Sequence, residues 1–213
     1  MAAVVSDLEG TLTTGESWRA FGEFVKSHGR KLRYALFFYL HLPGALAARA
    51  GLINAQRYRE LWFKNMTWVM QGFSAADVEA LSTYIAEALW QARRTSVVAE
   101  LEQWRARGAR LLIASGTYQR VADLFAARLS AEAIGTPVAF DRYGRATGRL
   151  SSPVSTGQIK ASKVRTWLGD DVLVAAYGDT EGDIPMLSLA QQPVANAALR
   201  TKALASGWRI LDS

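Results

Sequence analysis

Two carboxylates spaced by one residue at the end of an apolar run can divide the labour of phosphoryl chemistry, one attacking phosphorus and one moving a proton, if their environments differ. Asp7-Leu8-Glu9-Gly10-Thr11 has this form and follows the apolar residues 2–6. Gly10 permits a close turn and Thr11 can fix it by hydrogen bonding. Ser115-Gly116-Thr117 ends a second apolar run. Its hydroxyl and backbone N–H groups can hold phosphate oxygens where a helix begins. Gly178-Asp179-Thr180-Glu181-Gly182-Asp183 ends a third. A hard divalent cation prefers oxygen ligands, and Mg2+ takes one or two carboxylates while retaining water and touching phosphate. Asp179 is read as a direct ligand; Asp183 either orients a metal-bound water or Lys163, or joins the ligand set. A cation must offset these crowded carboxylates and the phosphoryl charge. Lys160 and Lys163 are the candidates, and Lys163 is preferred because it opens the stretch leading to the third run.

Each phrase alone also has an ordinary structural reading: an acidic turn, a helix N-cap, a solvated surface lysine. Their meaning comes from the elements that must position them. Residues 2–6, 110–116 and 172–178 read as buried strands, each ending in a potential catalytic group, as expected of an open parallel sheet. Helical patterns over 96–107, 118–129 and 161–168 supply crossovers, so the expected class is α/β. Residues 133–155 suggest a small hairpin or irregular excursion around Phe140 to Arg145 and Gly148.

Residues 15–92 do not alternate strand and helix. They read as four helical stretches, 18–28, 32–42, 55–70 and 75–93, separated by Gly29, Pro43-Gly44, Gly51 and Gly72. Such an insertion after the first strand can close over a ligand and exclude water. The expected division is a catalytic core of 1–14 and 93–213 with a helical cap of 15–92. Within the cap, residues 34–48 are strongly apolar and aromatic but interrupted by His41 and Pro43-Gly44, too short a span for a transmembrane helix. A packed cap core is the preferred reading, with an apolar substrate lid or a membrane-facing patch behind it.

Bulk composition narrows the classes. The 213-residue chain has no cysteine, which excludes thiol catalysis and thiolate metal sites and fits a reducing, cytoplasmic setting. The acidic residues close behind Met1 give no signal-peptide pattern. A net charge of +6 favours anionic partners. The arginines are scattered through helical patterns without a nucleic-acid-binding signature, so nucleic acid is not expected as a partner.

The whole constellation resembles the haloacid dehalogenase superfamily, and within it the phosphoserine phosphatase branch (subfamily IB). Asp7, Ser115, Lys163 and Asp179 with Asp183 occur in the family's order, and Asp183-Ile184-Pro185-Met186-Leu187 and Gly207-Trp208-Arg209-Ile210-Leu211 add to the match. The resemblance implies a Rossmann-like core with a helical cap and a Mg2+-dependent phosphatase acting through an aspartyl-phosphate on Asp7. It implies Asp7, the backbone carbonyl of Glu9 and Asp179 as metal ligands, with Ser115, Gly116 and Lys163 on the phosphoryl oxygens. Glu9 would then be general acid and base, standing where the family's phosphatases usually carry Asp.

The substrate implied is a small phosphorylated metabolite. Glu16 lies nine residues after Asp7, matching the glutamate with which phosphoserine phosphatases recognise the substrate amino group. Arg57 or Arg59 would correspond to their cap arginine. Gly182 departs from their Asn. Three alternatives accompany the hydrolase: a catalytically weakened phosphate or metal binder, a phosphotransferase, and a membrane-associated lipid phosphate phosphatase.

Overall fold

The apolar run at the start of the chain forms strand β1 (Ala2–Ser6) in the centre of a parallel sheet. The computed structural model describes residues 1–196 and 199–211. Its sheet contains β2 (Arg110–Tyr118), β3 (Glu132–Thr136), β6 (Val172–Gly178), β7 (Gln192–Ala195) and β8 (Arg209–Ile210), in the order β3-β2-β1-β6-β7-β8. Strands β4 (Val138–Phe140) and β5 (Ala146–Leu150) form a separate antiparallel pair.

Strand alternation builds the two faces of the core. Val4, Leu111, Ile113 and Tyr177 pack on one face with the helical insertion and with α5 (Thr95–Ala106) and α6 (Gln119–Ala127). Val5, Leu112, Ala114 and Ala176 pack on the other, against α7 (Gly157–Leu168), α8 (Ile184–Leu187) and α9 (Arg200–Ser206). Successive side chains of a strand point to opposite faces, and helices on both sides bury them.

The chain leaves β1 in one direction across the sheet, through β2 and β3, and returns to the other side of β1 as β6. The order therefore reverses between β1 and β6, and ligands in such sheets bind at the carboxyl ends of the strands flanking that reversal. Register brings the ends together: Ser6 lies beside Ile113 of β2 and Tyr177 of β6. Asp7, Ser115 and Asp179 consequently emerge at one edge.

Between β1 and β2 the chain inserts α1 (Ser17–Val25), α2 (Lys31–Arg49), α3 (Ala55–Met66) and α4 (Ala75–Gln91). Three details differ from the sequence expectation. Helix α2 runs through Pro43 instead of ending before it. Proline removes one intrahelical bond, to the residue four earlier, and here that residue is Tyr39, whose side chain is on the solvent side, so water can serve the freed carbonyl. The third helical stretch tightens into a 3-10 turn at Thr67–Met70. Residues 133–136, expected in the excursion over 133–155, belong instead to β3, a parallel edge strand beside β2, and the hairpin begins after it.

Candidate active site

Asp7 sits just past β1, its backbone N–H donating to the carbonyl of Tyr177 at 2.9 Å. Its carboxylate is buried and accepts a 2.6 Å hydrogen bond from Nζ of Lys160, which donates a second 2.6 Å bond to Oδ1 of Asp183. Nζ of Lys160 is thus clamped between two acids inside the protein. Burial alone would push the ammonium pKa down, but Asp183 and Asp7 outweigh it and hold it above the ordinary lysine range.

Lys163 is elsewhere. Its Nζ donates to Ser155 Oγ at 2.6 Å, and partial burial lowers its pKa. This corrects the preference for Lys163, and the physical reason is the start of α7. Thr156 is the N-cap and Gly157 the first helical residue, so Lys160 occupies the first turn, next to the strand ends. Three residues on, a side chain has turned about 300° and risen about 4.5 Å, which carries Lys163 away from Asp7.

The third acidic phrase forms a tight loop. Asp183 Oδ2 accepts from the backbone N–H and Oγ1 of Thr180 at 3.0 and 2.7 Å, while its Oδ1 takes Lys160. Burial opposes its charge, but Lys160 and these hydrogen bonds prevail and keep its pKa below the usual carboxylate value. Asp179 receives a long 3.4 Å hydrogen bond from Thr11. Burial, and then the Asp183 charge, raise its pKa to about 6. Burial, with the neighbouring carboxylates, likewise raises Asp7 well above the ordinary range. Gly10 is fitted closely against this group. At φ 87° its backbone is left-handed, and a Cβ there would come within 2.0 Å of Asp179 Oδ2. Asn196 closes the loop by donating to the Gly10 carbonyl at 2.6 Å.

Ligand atoms of Asp7, Asp179 and Asp183 lie within 4.8 Å of one another. Three clustered carboxylates, two of them buried, beside a single ammonium leave excess negative charge, which adds to burial in raising the pKa of Asp7 and Asp179. All the donors are hard oxygens. Charge and donor type both fit a small divalent cation, and the carboxylate whose oxygens are both taken by protein groups, Asp183, fits an orienting role.

Glu9 points toward helix α1. Its carboxylate accepts from Ser17 N–H at 2.8 Å and Ser17 Oγ at 2.5 Å, a favourable place for an acid at a helix N-terminus. Burial nonetheless lifts its pKa above the usual glutamate value, against the pull of those two bonds. Its side chain is not in the carboxylate cluster. Ser115 is buried at the strand edge, its Oγ accepting from Thr117 N–H at 3.2 Å. Glu16 is exposed and paired with Arg19 on the surface, not turned into the cluster. Of the two cap arginines, Arg59 is the one whose charge is felt at Asp179.

Several residues at the site carried no signal in the sequence. Ser17 holds Glu9, Thr180 holds Asp183, and Gln56 of α3 reaches the N-cap of α7, donating to Thr156 Oγ1 at 2.8 Å. A Cβ on Gly182 would come within 2.6 Å of that Thr156 oxygen and 2.9 Å of Gln56 Nε2. The Gly182 position is therefore coupled to a contact between the helical insertion and the core. A Thr-Gly pair ahead of a helical pattern is a readable N-cap signal, and it would have placed Lys160 in the first turn.

Residues 4–188 match the model of the haloacid dehalogenase-like hydrolases. The chain belongs to that family. Among curated relatives of this haloacid dehalogenase-like hydrolase, protein CicA of Caulobacter vibrioides is 31% identical over 89% of this chain and 83% of that protein. Phosphoserine phosphatase SerB1 of Mycobacterium tuberculosis is 31% identical over 99% of this chain and 70% of that one. In fold, the hydrolase is similar to a Bordetella pertussis protein of unknown function (TM-score 0.78, 21% identity, 99% and 98% of the two chains). It is also similar to a probable phosphoserine phosphatase of Vibrio cholerae (TM-score 0.71, 19% identity, 99% and 60%). The protein is a hydrolase of the haloacid dehalogenase type, with a buried acidic cluster capable of holding a divalent metal. Among the described residues, no helix is long and apolar enough to cross a membrane.

Proposed function

We propose that this hydrolase is a Mg2+-dependent phosphomonoesterase for a small phosphorylated metabolite, forming an aspartyl-phosphate on Asp7. The observation that carries the reading is the Lys160 ammonium bridging Asp7 and Asp183 beside Asp179 at the sheet's switch point. Asp7, Asp179 and the backbone carbonyl of Glu9 would hold Mg2+, and Asp183 would orient Lys160. The cation supplies charge neutralisation, so that an anionic carboxylate can approach an anionic phosphate.

The protein groups account for the rest. The Asp7 carboxylate attacks phosphorus; the bond to the leaving oxygen breaks, and that oxygen takes a proton from Glu9. Lys160, Ser115 and the Gly116 backbone bind phosphoryl oxygens during the transfer. Glu9, now ionised, accepts a proton from water, which attacks phosphorus and releases phosphate and the free Asp7 carboxylate. A glutamate with a raised pKa suits the first step. The segment 15–92 acts as the cap, and Arg59 is the cap cation best placed to meet an anionic substrate group. Relatives named as phosphoserine phosphatases put phosphoserine on the panel.

The test is phosphate release from a panel of phosphomonoesters, phosphoserine among them, with Mg2+ or with chelator. Metal-dependent turnover on at least one ester is expected, and its complete absence from a folded protein that binds Mg2+ would overturn the reading. One observation favours a slower variant of it: both Glu9 oxygens are engaged by Ser17. Slow proton transfer from water to Glu9 would appear as a phosphate-release lag behind a burst of leaving group.

Metal binding has its own pH signature. Asp179 titrates near 6 in the folded protein against an ordinary 3.8. Between those values the folded state holds a proton that the unfolded chain has lost, so this group's contribution to stability falls as pH rises through the window. A cation replacing that proton therefore stabilises most above pH 7. At a hundredfold excess over Kd, Mg2+ should add about 2.7 kcal/mol, roughly 5–10 °C in Tm for a domain of this size. That gain should shrink markedly by pH 5. Thermal melts at pH 5 and 8 with and without Mg2+ check it, and equal shifts would remove Asp179 from the ligand set.

A further inference from the structure

Helix α2 is apolar on both faces, although only one faces the protein. Tyr34 and Phe37 are buried, with Phe38 and His41 packed against Trp62 of α3. On the opposite side stand Leu32, Leu36, Tyr39, Leu40, Pro43 and Leu46. At about 100° per residue these six fall within roughly a third of the helix circumference, and they extend about 21 Å along it. Leu32 is 86% exposed, Tyr39 70% and Leu40 67%. Leu52 and Ile53, in the turn after α2, prolong the exposed apolar surface. A helix apolar all round is normally buried, and a continuous exposed patch of this kind marks an interaction surface.

Charge identifies what covers it. Residues 24–59 contain seven lysines and arginines and no aspartate or glutamate, in a chain where acids otherwise occur throughout. Lys31 and Arg49, both exposed, flank the apolar stripe on one side, at positions from which long side chains can reach past the apolar face, whereas Arg33 on the other side is turned back onto Trp68 and the Gln71 carbonyl. An apolar stripe edged by cations and free of acids is complementary to a lipid surface whose headgroups are negative and whose acyl region begins just beneath them.

We propose that the exposed face of α2 docks the protein on an anionic bilayer, the leucines entering the headgroup–acyl boundary and the flanking cations pairing with lipid phosphates. The helix lies in the interface and does not cross it, in accord with the lack of a spanning helix among the described residues. Docking is independent of the phosphatase reading, since α2 contributes no residue to the acidic cluster. It has a consequence for that reading all the same: α3, which carries Gln56 and Arg59, would sit between the membrane and the acidic cluster.

The experiment is cosedimentation with vesicles of phosphatidylcholine alone and of phosphatidylcholine with a third phosphatidylglycerol, at about 0.1 M salt, where surface charges act over about 10 Å. Wild-type protein is expected to sediment with the anionic vesicles, at least tenfold more than with the neutral ones. Leu36→Glu/Leu40→Glu should lose that binding at least tenfold while keeping its melting temperature and the phosphate release of the wild type. A fluorophore on Leu40→Cys should blue-shift on anionic vesicles, which keeps the test valid if the double variant folds poorly. Wild-type protein that stays in solution, or a double variant that binds undiminished, would overturn the proposal. So would a dimer in sedimentation velocity that the double variant dissociates, since the face would then belong to a second copy.

Discussion

Asp7→Asn is expected to abolish metal-dependent phosphate release, by at least ~10^4-fold, the scale on which loss of a nucleophile acts. The amide retains the size of the side chain, and its carbonyl oxygen can still accept from Lys160, so folding is preserved. What it loses is the charge and nucleophilicity of the carboxylate. The amide also removes one of three clustered like charges, so the metal-free variant should melt no lower than wild type near pH 8. A stable but inactive protein is thus the expected pair of results, measured by phosphate release and thermal denaturation. Residual turnover within tenfold of wild type would place the attacking oxygen elsewhere.

The second large effect lies at Lys160. Lys160→Met keeps the side chain's length and apolar stem but withdraws the ammonium from Asp7 and Asp183. Breaking a buried ion pair by removing one partner costs about 3–5 kcal/mol, and here two acids lose the same partner. The sign with pH follows from the groups left behind. With no ammonium beside them, Asp7 and Asp183 relieve their repulsion by binding protons, so the loss should be largest near pH 8 and diminish toward pH 5. Phosphate release should fall on the order of 10^2–10^3-fold, the range for removing a preorganised electrostatic donor. Lys163→Met is the matched control. Its ammonium bonds to Ser155 and not to the cluster, so its turnover should stay within a few-fold of wild type. The reverse pattern would restore Lys163 to the catalytic role.

The contrast between these lysines shows where reading the chain reached its limit. Residues 2–6, 110–116 and 172–178 were legible as strands because buried parallel strands are short apolar runs, and the polar residue at each end announced a shared edge. The choice of lysine depended on one turn of helix. Local pattern gives helix ends only to within a few residues, and a shift of four residues in the start of α7 exchanges Lys160 for Lys163. Strand β3 was obscured for a different reason: Glu132-Ala133-Ile134-Gly135-Thr136 has no apolar run, since an edge strand covered on one side needs little of it. The continuation of α2 past Pro43 was hidden because a local breaker is tolerated where water can serve the freed carbonyl. Ser17, Gln56 and Thr180 matter only through partners, and the pairing of Gln56 with Thr156 joins segments a hundred residues apart, which no local pattern records.

The position of β1 has a consequence for how the protein is made. This strand lies in the middle of the sheet, yet its two neighbours are β2, which starts at residue 110, and β6, which starts at residue 172. At ~5–20 residues per second, the ribosome needs on the order of 10–30 s after β1 emerges to supply the second of them. Throughout that interval Ala3, Val4 and Val5, all fully sheltered in the finished protein, have open edges on both sides. Pairings of such long sequence separation are slow to form and leave nascent chains prone to aggregation. The helices α1–α4 emerge well before the sheet can close, although α4 finds its most extensive partner only in α6 (Gln119–Ala127). Nascent protein should therefore pass through a stage in which the helices of the insertion have been made and β1, which leads into Asp7, is still waiting for its neighbours.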